Sequence, residues 1–277
     1  MKRSLLFAAI LCGAASMAEA ATVDTLAVRS AKMDKDVPVV VITPDVMTTG
    51  QTCPVIYLLH GYSKEAPVMG HKAWLTQSKP NLPEIADERG VMFVCPNGST
   101  SWYWDSPIDP TMQYETFVCH ELIDYIDTHY PTVADRSGRA ITGLSMGGQG
   151  AMWSVIHHPD VFGAGGSLSG GVDIRPFPDR WAIRQMIGDK ESNPERWEEY
   201  AIVNQVDKLK DANVALIIDC GYDDFFFDVN NDLHARLLER HIPHDYIVRP
   251  GIHNHAYWNN AIDYQIEYFC KFFGQKK

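Results

Sequence analysis

Ser145 is the residue of this chain best placed to act as a nucleophile. It stands at the centre of residues 143–147, which read Gly-Leu-Ser-Met-Gly, a G-x-S-x-G pattern. The pattern follows a short apolar run that can end a buried strand and precedes a segment compatible with a helix. A serine at such a turn is strained, and the flanking glycines permit the turn because they carry no Cβ. The pattern predicts an exposed Oγ, with the Met146 N–H at a helix N-terminus where partial positive charge collects.

A serine hydroxyl is a weak nucleophile unless a base accepts its proton and a third group orients that base. At average usage of glycine and serine, the pentapeptide alone arises by chance in roughly one chain in ten of this length, so a purely structural turn is the alternative. The hypothesis of a nucleophile therefore depends on partners elsewhere in the sequence. Acidic residues and then histidines do follow Ser145, each just beyond an apolar run.

The order serine, aspartate, histidine is the one expected of an α/β-hydrolase triad. His253 is predicted to take the Ser145 proton and return it to the leaving alcohol, with His255 as the rival base. Asp224 or Asp223 would hold the imidazole in the correct tautomer and stabilise its cation. Because two like charges cannot both stay unpaired in a dry site, one aspartate is expected to face solvent or a backbone donor.

An oxyanion site needs two donors, and the sequence offers two backbone N–H groups for it. One belongs to Met146. The other belongs to Tyr62, which follows His60-Gly61 at the end of the apolar run 54–59. An ordinary tight turn is the alternative interpretation of His60-Gly61, but its place at a strand end before the first helix favours the oxyanion role.

Aromatic residues concentrate near these predicted strand ends. The loop 96–107 is rich in them, and they could cap the core from outside or line a pocket for an apolar or sugar-like group. The residues expected to contact substrate are Trp102, Tyr103, Phe225 and Trp258. No histidine pair has the spacing or the acidic and thiol neighbours of a zinc site, so no metal and no organic cofactor are expected.

Apolar runs alternate with helical patterns along the chain. This alternation predicts an α/β fold with a mostly parallel central sheet and helices on both faces, preceded by an N-terminal antiparallel hairpin. Ligands in such folds bind beyond the carboxyl ends of the strands, where all the candidate residues fall. Residues 21–277 are interpreted as one catalytic domain, in which the irregular segment 172–211 forms an insertion over the sheet edge or part of a substrate lid.

The first 20 residues have a basic start, an apolar run and an A-x-A ending, the pattern of a cleaved signal peptide. The protein is therefore expected to be exported, either to the periplasm or out of the cell. The net charge of the whole chain, −11, disfavours nucleic acid and anionic membranes as partners. No later apolar run is long enough to span a bilayer, so no stable membrane insertion is expected. The sequence leaves the oligomeric state open.

Five segments in order make the chain similar to the esterase D family, which includes secreted feruloyl and acetyl esterases, tributyrin esterases, S-formylglutathione hydrolases and mycolyltransferases. The segments are Leu-Leu-His-Gly-Tyr-Ser at 58–63, Trp102-Tyr103, Gly-Leu-Ser-Met-Gly-Gly at 143–148, Cys-Gly-Tyr-Asp-Asp-Phe at 220–225 and Pro-Gly-Ile-His at 250–253. The resemblance implies an α/β-hydrolase fold with Ser145 as nucleophile, Asp224 as acid and His253 as base. Many relatives have Asp-Trp after that histidine, where this chain has Asn254-His255.

These observations predict an exported serine carboxylesterase that removes an acetyl, feruloyl or short-chain acyl group from a carbohydrate or another alcohol. An S-formylglutathione hydrolase-like thioesterase is one alternative, although its substrate belongs to the cytosol. An acyltransferase is a second, and a catalytically inactive glycan-binding hydrolase fold is a third. A complete set of nucleophile, acid, base and oxyanion turn favours an enzyme over a binding protein.

Overall fold

The computed structural model describes residues 21–45 and 51–274. The predicted signal peptide, residues 1–20, lies outside the described residues. None of the helices described is both long enough and apolar enough to cross a membrane.

The described strands form a single eight-stranded sheet in the order β1-β2-β4-β3-β5-β6-β7-β8. The hairpin β1–β2 is antiparallel, and β2 also pairs antiparallel with β4, whereas every pair among β3 to β8 is parallel. The predicted fold class is confirmed, including its N-terminal hairpin. The strands are β1 (Thr22–Ser30), β2 (Lys35–Thr43), β3 (Val55–Leu59), β4 (Met92–Pro96), β5 (Arg139–Gly143), β6 (Ala164–Leu168), β7 (Ala215–Gly221) and β8 (Asp245–Arg249).

Helices cover both faces of the sheet. Alternate residues of β3 enter two different apolar clusters, Val55 and Tyr57 on one face and Ile56 and Leu58 on the other, so the strand is apolar along its whole length. Helices α4, α5 and α8 pack on the first face, and α2 and α9 pack on the second. The α-helices are α1 (Ala66–Met69), α2 (Leu82–Arg89), α3 (Tyr114–Thr116), α4 (Leu122–His129), α5 (Met146–His157), α6 (Ile183–Ile187), α7 (Pro194–Glu199), α8 (Phe227–Glu239) and α9 (His255–Gly274).

The segment 172–211 contains α6, α7 and two short 3₁₀ turns. Its residues Trp197 and Ile202 are fully buried in the same cluster as α5 and α8, and the turn at Ile202–Asn204 packs against these two helices. Two hydrogen bonds tie it to the aromatic loop 96–107. Ser106 Oγ donates to the Met186 carbonyl at 2.6 Å, and Trp102 Nε1 donates to the Trp181 carbonyl at 2.9 Å.

Candidate active site

Ser145 occupies a strained turn between β5 and α5. Its φ of 57° and ψ of −117° lie outside the regions that residues with a Cβ normally adopt. Two backbone hydrogen bonds hold the turn: the Ser145 N–H donates to the Leu168 carbonyl at 2.9 Å, and the Gly171 N–H donates to the Ser145 carbonyl at 3.3 Å. The turn therefore depends on β6 and the loop after it as well as on its own sequence.

The two glycines of the pentapeptide are required by close backbone approach. A Cβ on Gly143 would lie 2.6 Å from the Leu59 carbonyl oxygen, and one on Gly147 would lie 2.2 Å from the same atom. This oxygen cannot move easily because it belongs to the backbone of β3. The glycines thus let the start of α5 pack against the end of β3, which brings Ser145 next to the turn that carries Tyr62.

The structure brings Ser145, His253 and Asp224 into one hydrogen-bonded chain. His253 Nε2 lies 2.9 Å from Ser145 Oγ, and His253 Nδ1 lies 2.8 Å and 3.0 Å from the two Asp224 carboxylate oxygens. The Asp224 side chain is fully buried, and its Oδ1 also accepts a hydrogen bond from the Phe226 N–H at 2.8 Å. With a carboxylate at Nδ1, the imidazole proton belongs on that nitrogen, and Nε2 is left as an acceptor toward the serine.

The alternatives that the sequence left open differ clearly in their positions. Asp223 is exposed, whereas Asp224 contacts His253. His255 does not reach the serine; its Nδ1 lies 2.8 Å from Ser78 Oγ. The geometry therefore favours Asp224 over Asp223 and His253 over His255.

Met146, the first residue of α5, directly follows Ser145, and Tyr62, in the turn after β3, lines the same pocket as Ser145. Within the described residues, neither backbone N–H has an acceptor in the protein. Two such donors next to a serine hydroxyl could bind an oxygen that becomes negatively charged during a reaction there.

His60 orients the peptide group that carries the Tyr62 N–H. The Gly98 N–H donates to His60 Nε2 at 2.8 Å, so the ring proton must be on Nδ1. His60 Nδ1 then donates to the Gly61 carbonyl at 2.8 Å, and that carbonyl belongs to the same peptide unit as the Tyr62 N–H. Burial lowers the pKa of His60 from its usual 6.5 to about 4, so the neutral tautomer persists in mildly acidic solution.

The buried neutral state of His60 has a consequence for stability. Because the folded protein does not protonate His60 until about pH 4, stability is lost as pH falls below the usual histidine pKa, where only the unfolded chain gains the proton. The free energy of unfolding of the wild type should therefore fall between pH 7 and pH 4.5. In the variant His60→Asn, which lacks this imidazole, the fall should be smaller by roughly 2 kcal/mol. Urea unfolding of both proteins at the two pH values measures this difference, and equal pH dependence would contradict it.

A pocket of about 260 Å³ opens at Ser145. Part of its lining is aromatic. Trp181 stacks on Phe225, and the Phe225 ring lies 4.2 Å from the His253 ring between centroids. Trp258 meets the His253 ring edge-on at 4.7 Å. Another part of the lining is polar and includes Ser63, Glu65, Gln77 and His255.

Trp102 and Tyr103 do not line this pocket, which corrects the expectation from the sequence. Each is only 1% exposed, and both have positive φ values that turn the rings into the core. Tyr103 lies beneath the site, where its hydroxyl accepts from the His60 N–H at 2.9 Å and donates to the His60 carbonyl at 3.2 Å. It thereby holds the backbone at the start of the turn 60–62. Phe225 and Trp258, by contrast, do line the pocket.

Sequence reasoning missed several lining residues. Trp181 lies in an irregular stretch with no periodicity to indicate which way its ring points. The segment 63–78, which supplies Ser63, Glu65 and Gln77, combines a short α-helix, a 3₁₀ turn and a π-helical turn, none of which leaves a clear hydrophobic pattern.

The described residues contain no group of three or more histidine, cysteine, aspartate or glutamate side chains arranged to hold a metal ion. The neighbouring histidines 157 and 158 have local partners instead. His158 Nε2 lies 2.9 Å from Glu115, and the His157 ring packs on Trp153 at 4.0 Å between centroids. The first contact links the end of α5 to α3, and the second lies within α5 itself.

The Esterase family model matches residues 30–268. The chain belongs to this esterase family. An acetyl esterase of Caldicellulosiruptor saccharolyticus is 26% identical over 228 residues, which cover 78% of this chain and 83% of that protein. An esterase of Mycobacterium tuberculosis is 24% identical over 240 residues, covering 77% of this chain and 51% of the other. The chain thus spans about half the length of several curated relatives that it matches.

Among solved structures, a ferulic acid esterase superposes on this esterase-family chain with a TM-score of 0.76 and 26% identity. The superposition covers 92% of this chain and 99% of that one. The resemblance to α/β-hydrolase esterases that the sequence motifs indicated is therefore confirmed in the family and in the fold.

Proposed function

We propose that this protein is a serine carboxylesterase that cleaves acyl esters through a covalent intermediate on Ser145. The observation that carries the proposal is the hydrogen-bonded chain from Asp224 through His253 to Ser145 Oγ. It ends beside the two N–H groups of Tyr62 and Met146. Membership of the esterase family supports the same reaction type.

In the proposed mechanism His253 Nε2 takes the Ser145 proton while Oγ attacks the ester carbonyl carbon. The carbonyl oxygen becomes an oxyanion that the N–H groups of Tyr62 and Met146 stabilise. The imidazolium then gives its proton to the leaving alcohol oxygen, and the acyl group remains on Ser145. Water, activated by the same imidazole, releases the acid. Asp224 stabilises the imidazolium in both halves of the reaction.

The proposed substrates are acetyl, feruloyl or other short-chain acyl esters of a carbohydrate or another alcohol. The acetyl esterase relative and the ferulic acid esterase structure both support this range. The pocket agrees with it in size, since about 260 Å³ has room for a small acyl group. Its aromatic lining suits a planar or apolar group, and its polar lining suits hydroxyl groups.

A panel of 4-nitrophenyl acetate, butyrate and ferulate tests the proposal on purified protein. Saturable hydrolysis of at least one ester is expected, together with covalent labelling by a fluorophosphonate probe. A pure glycan-binding protein would neither hydrolyse the esters nor react with the probe. Adding glycerol as an acceptor separates hydrolysis from acyl transfer, because a transferase would form the glyceryl ester in preference to the free acid.

We also propose that residues 21–277 form one catalytic domain and that the protein is exported. Export is proposed from the basic and apolar pattern of residues 1–20. The intact mass of the protein recovered outside the cytoplasm checks it, since cleavage after Ala20 leaves a chain that starts at Ala21. An acidic protein with a carbohydrate ester as substrate needs neither nucleic acid nor an anionic membrane as a partner.

A further inference from the structure

His255 lies in the pocket but takes no part in the hydrogen-bonded chain of Ser145. Its ring meets Trp258 edge-on at 5.1 Å, and the His253 ring meets the same indole edge-on at 4.7 Å. The two imidazoles therefore share one aromatic neighbour, and His255 lines the same pocket. Burial, with a smaller contribution from nearby His253, lowers the pKa of His255, which keeps it neutral near pH 7.

Ser78 determines which nitrogen of His255 carries the proton. Ser78 is fully buried, and among the described residues its hydroxyl has no hydrogen-bond partner other than His255 Nδ1, at 2.8 Å. A buried O–H without an acceptor costs about 1–3 kcal/mol, so the hydroxyl donates to Nδ1. The proton of the neutral ring is then on Nε2, and no group in the described part of the chain hydrogen-bonds that nitrogen.

Ser78, which orients His255, is itself held against α9 by neighbouring contacts. Asn259 Nδ2 donates to the Ser78 carbonyl at 2.6 Å, and Lys79 Nζ lies 2.7 Å from the Asp263 carboxylate. The segment carrying Ser78 is thus fixed to the helix that begins at His255. A donor held in this way loses little conformational entropy when it binds a ligand.

We propose that His255, oriented by Ser78, is a specificity residue that donates a hydrogen bond from Nε2 to an oxygen of the substrate's alcohol part. The proposal rests on the proposed esterase function. During acyl transfer the leaving oxygen must lie next to His253 Nε2, which protonates it, so the alcohol is the part of the ester close to His255. The site therefore selects esters of hydroxylated, uncharged alcohols, such as polyols and sugars, over simple alkyl esters.

The other polar residues of the lining suit the same class of alcohol. Ser63 and Gln77 can each donate and accept, and the Glu65 carboxylate can accept from a hydroxyl. An alcohol with several hydroxyl groups can satisfy such a mixed set of donors and acceptors. An anionic alcohol would be repelled by Glu65 and by the acidic chain as a whole.

The test compares a glyceryl monoester with the propyl ester of the same acid, which differ only in two hydroxyl groups. The acyl group is the one that the wild type hydrolyses fastest as its 4-nitrophenyl ester. We expect the wild type to have the higher kcat/KM for the glyceryl ester. His255→Phe should reduce the glyceryl-to-propyl ratio by about 3- to 10-fold, the effect of one hydrogen bond.

Three further variants sharpen the result. Ser78→Ala should reduce the ratio in the same direction but by less, because the ring stays in place with its tautomer no longer fixed. His255→Gln, which keeps an amide donor, should retain more of the ratio than His255→Phe. His129→Phe, at the exposed end of α4, is the matched control and should leave the ratio at the wild-type value.

Two outcomes would overturn the inference while leaving the esterase function intact. One is a wild type with no preference for the glyceryl ester, and the other is a His255→Phe protein with the wild-type ratio. Failure of the proposed function gives a different result, because the wild type would then hydrolyse none of the 4-nitrophenyl esters.

Discussion

Replacing Ser145 with alanine should lower kcat for the best 4-nitrophenyl ester by a factor of about 10⁵–10⁶. The variant keeps the pocket and the two backbone donors but has no atom that can carry the acyl group. KM should change little, since the Oγ atom contributes little to ground-state binding. Steady-state kinetics with active-site labelling of both proteins measures the effect, and the variant should not react with a fluorophosphonate.

Ser169→Ala provides a matched control for that experiment. Like Ser145, Ser169 has a positive φ and follows a strand, here the neighbouring β6, but it is fully buried and its Oγ accepts a 3.3 Å hydrogen bond from Trp258 Nε1 rather than contacting His253. Loss of this one hydrogen bond should cost less than about tenfold in kcat/KM. A Ser145→Ala protein as active as the Ser169→Ala protein would show that the nucleophile is elsewhere.

Asp224→Asn should reduce kcat by roughly 10⁴. An asparagine amide can present a hydrogen to His253 Nδ1 where the carboxylate presented an acceptor. The ring would then favour the tautomer with its proton on Nε2, which cannot accept the serine proton. The neighbouring variant Asp223→Asn removes the same charge from an exposed position and is expected to leave kcat within about twofold, as is usual for surface substitutions.

Comparing the two aspartate variants separates the effect of the Asp224–His253 hydrogen bond from the effect of a negative charge near the site. If the two variants lost activity equally, the acid would act through charge alone, and the 2.8 Å contact between Asp224 and His253 would not be needed. In the wild type the Asp224 carboxylate also accepts a hydrogen bond from the Phe226 N–H, which the substitution could disturb. Circular dichroism of both variants therefore checks that the Asp224→Asn protein is folded.

Much of this arrangement could be predicted from local sequence patterns. The apolar run 54–59 predicts a strand buried on both faces, and the glycines around Ser145 predict its turn because backbone atoms leave no room for a Cβ there. The choice between Asp223 and Asp224 could not be made from spacing, because adjacent residues in a turn differ only in the direction of their side chains. That direction is determined by the packing of the loop after β7.

The wrong prediction for Trp102 and Tyr103 has a comparable cause. Aromatic residues after a strand are compatible with a pocket wall and with a core cap, and the backbone decides between them. Positive φ at both residues turns the rings inward, and residues with a Cβ rarely adopt that conformation, so nothing in the sequence indicates it. Trp181 could not be predicted as a lining residue because its segment has no periodic pattern that indicates which way the ring points.

His253 is separated by 108 residues from Ser145 and lies two residues before α9, the last helix on the sheet's second face. A chain still being synthesised therefore contains Ser145 well before α9, the helix that follows His253, is complete. Until α9 packs, His253 Nε2 has no fixed position beside Ser145 Oγ, and we expect the polypeptide to be inactive toward esters. The order of the elements thus couples the hydrogen-bonded chain at Ser145 to the docking of the C-terminal helix.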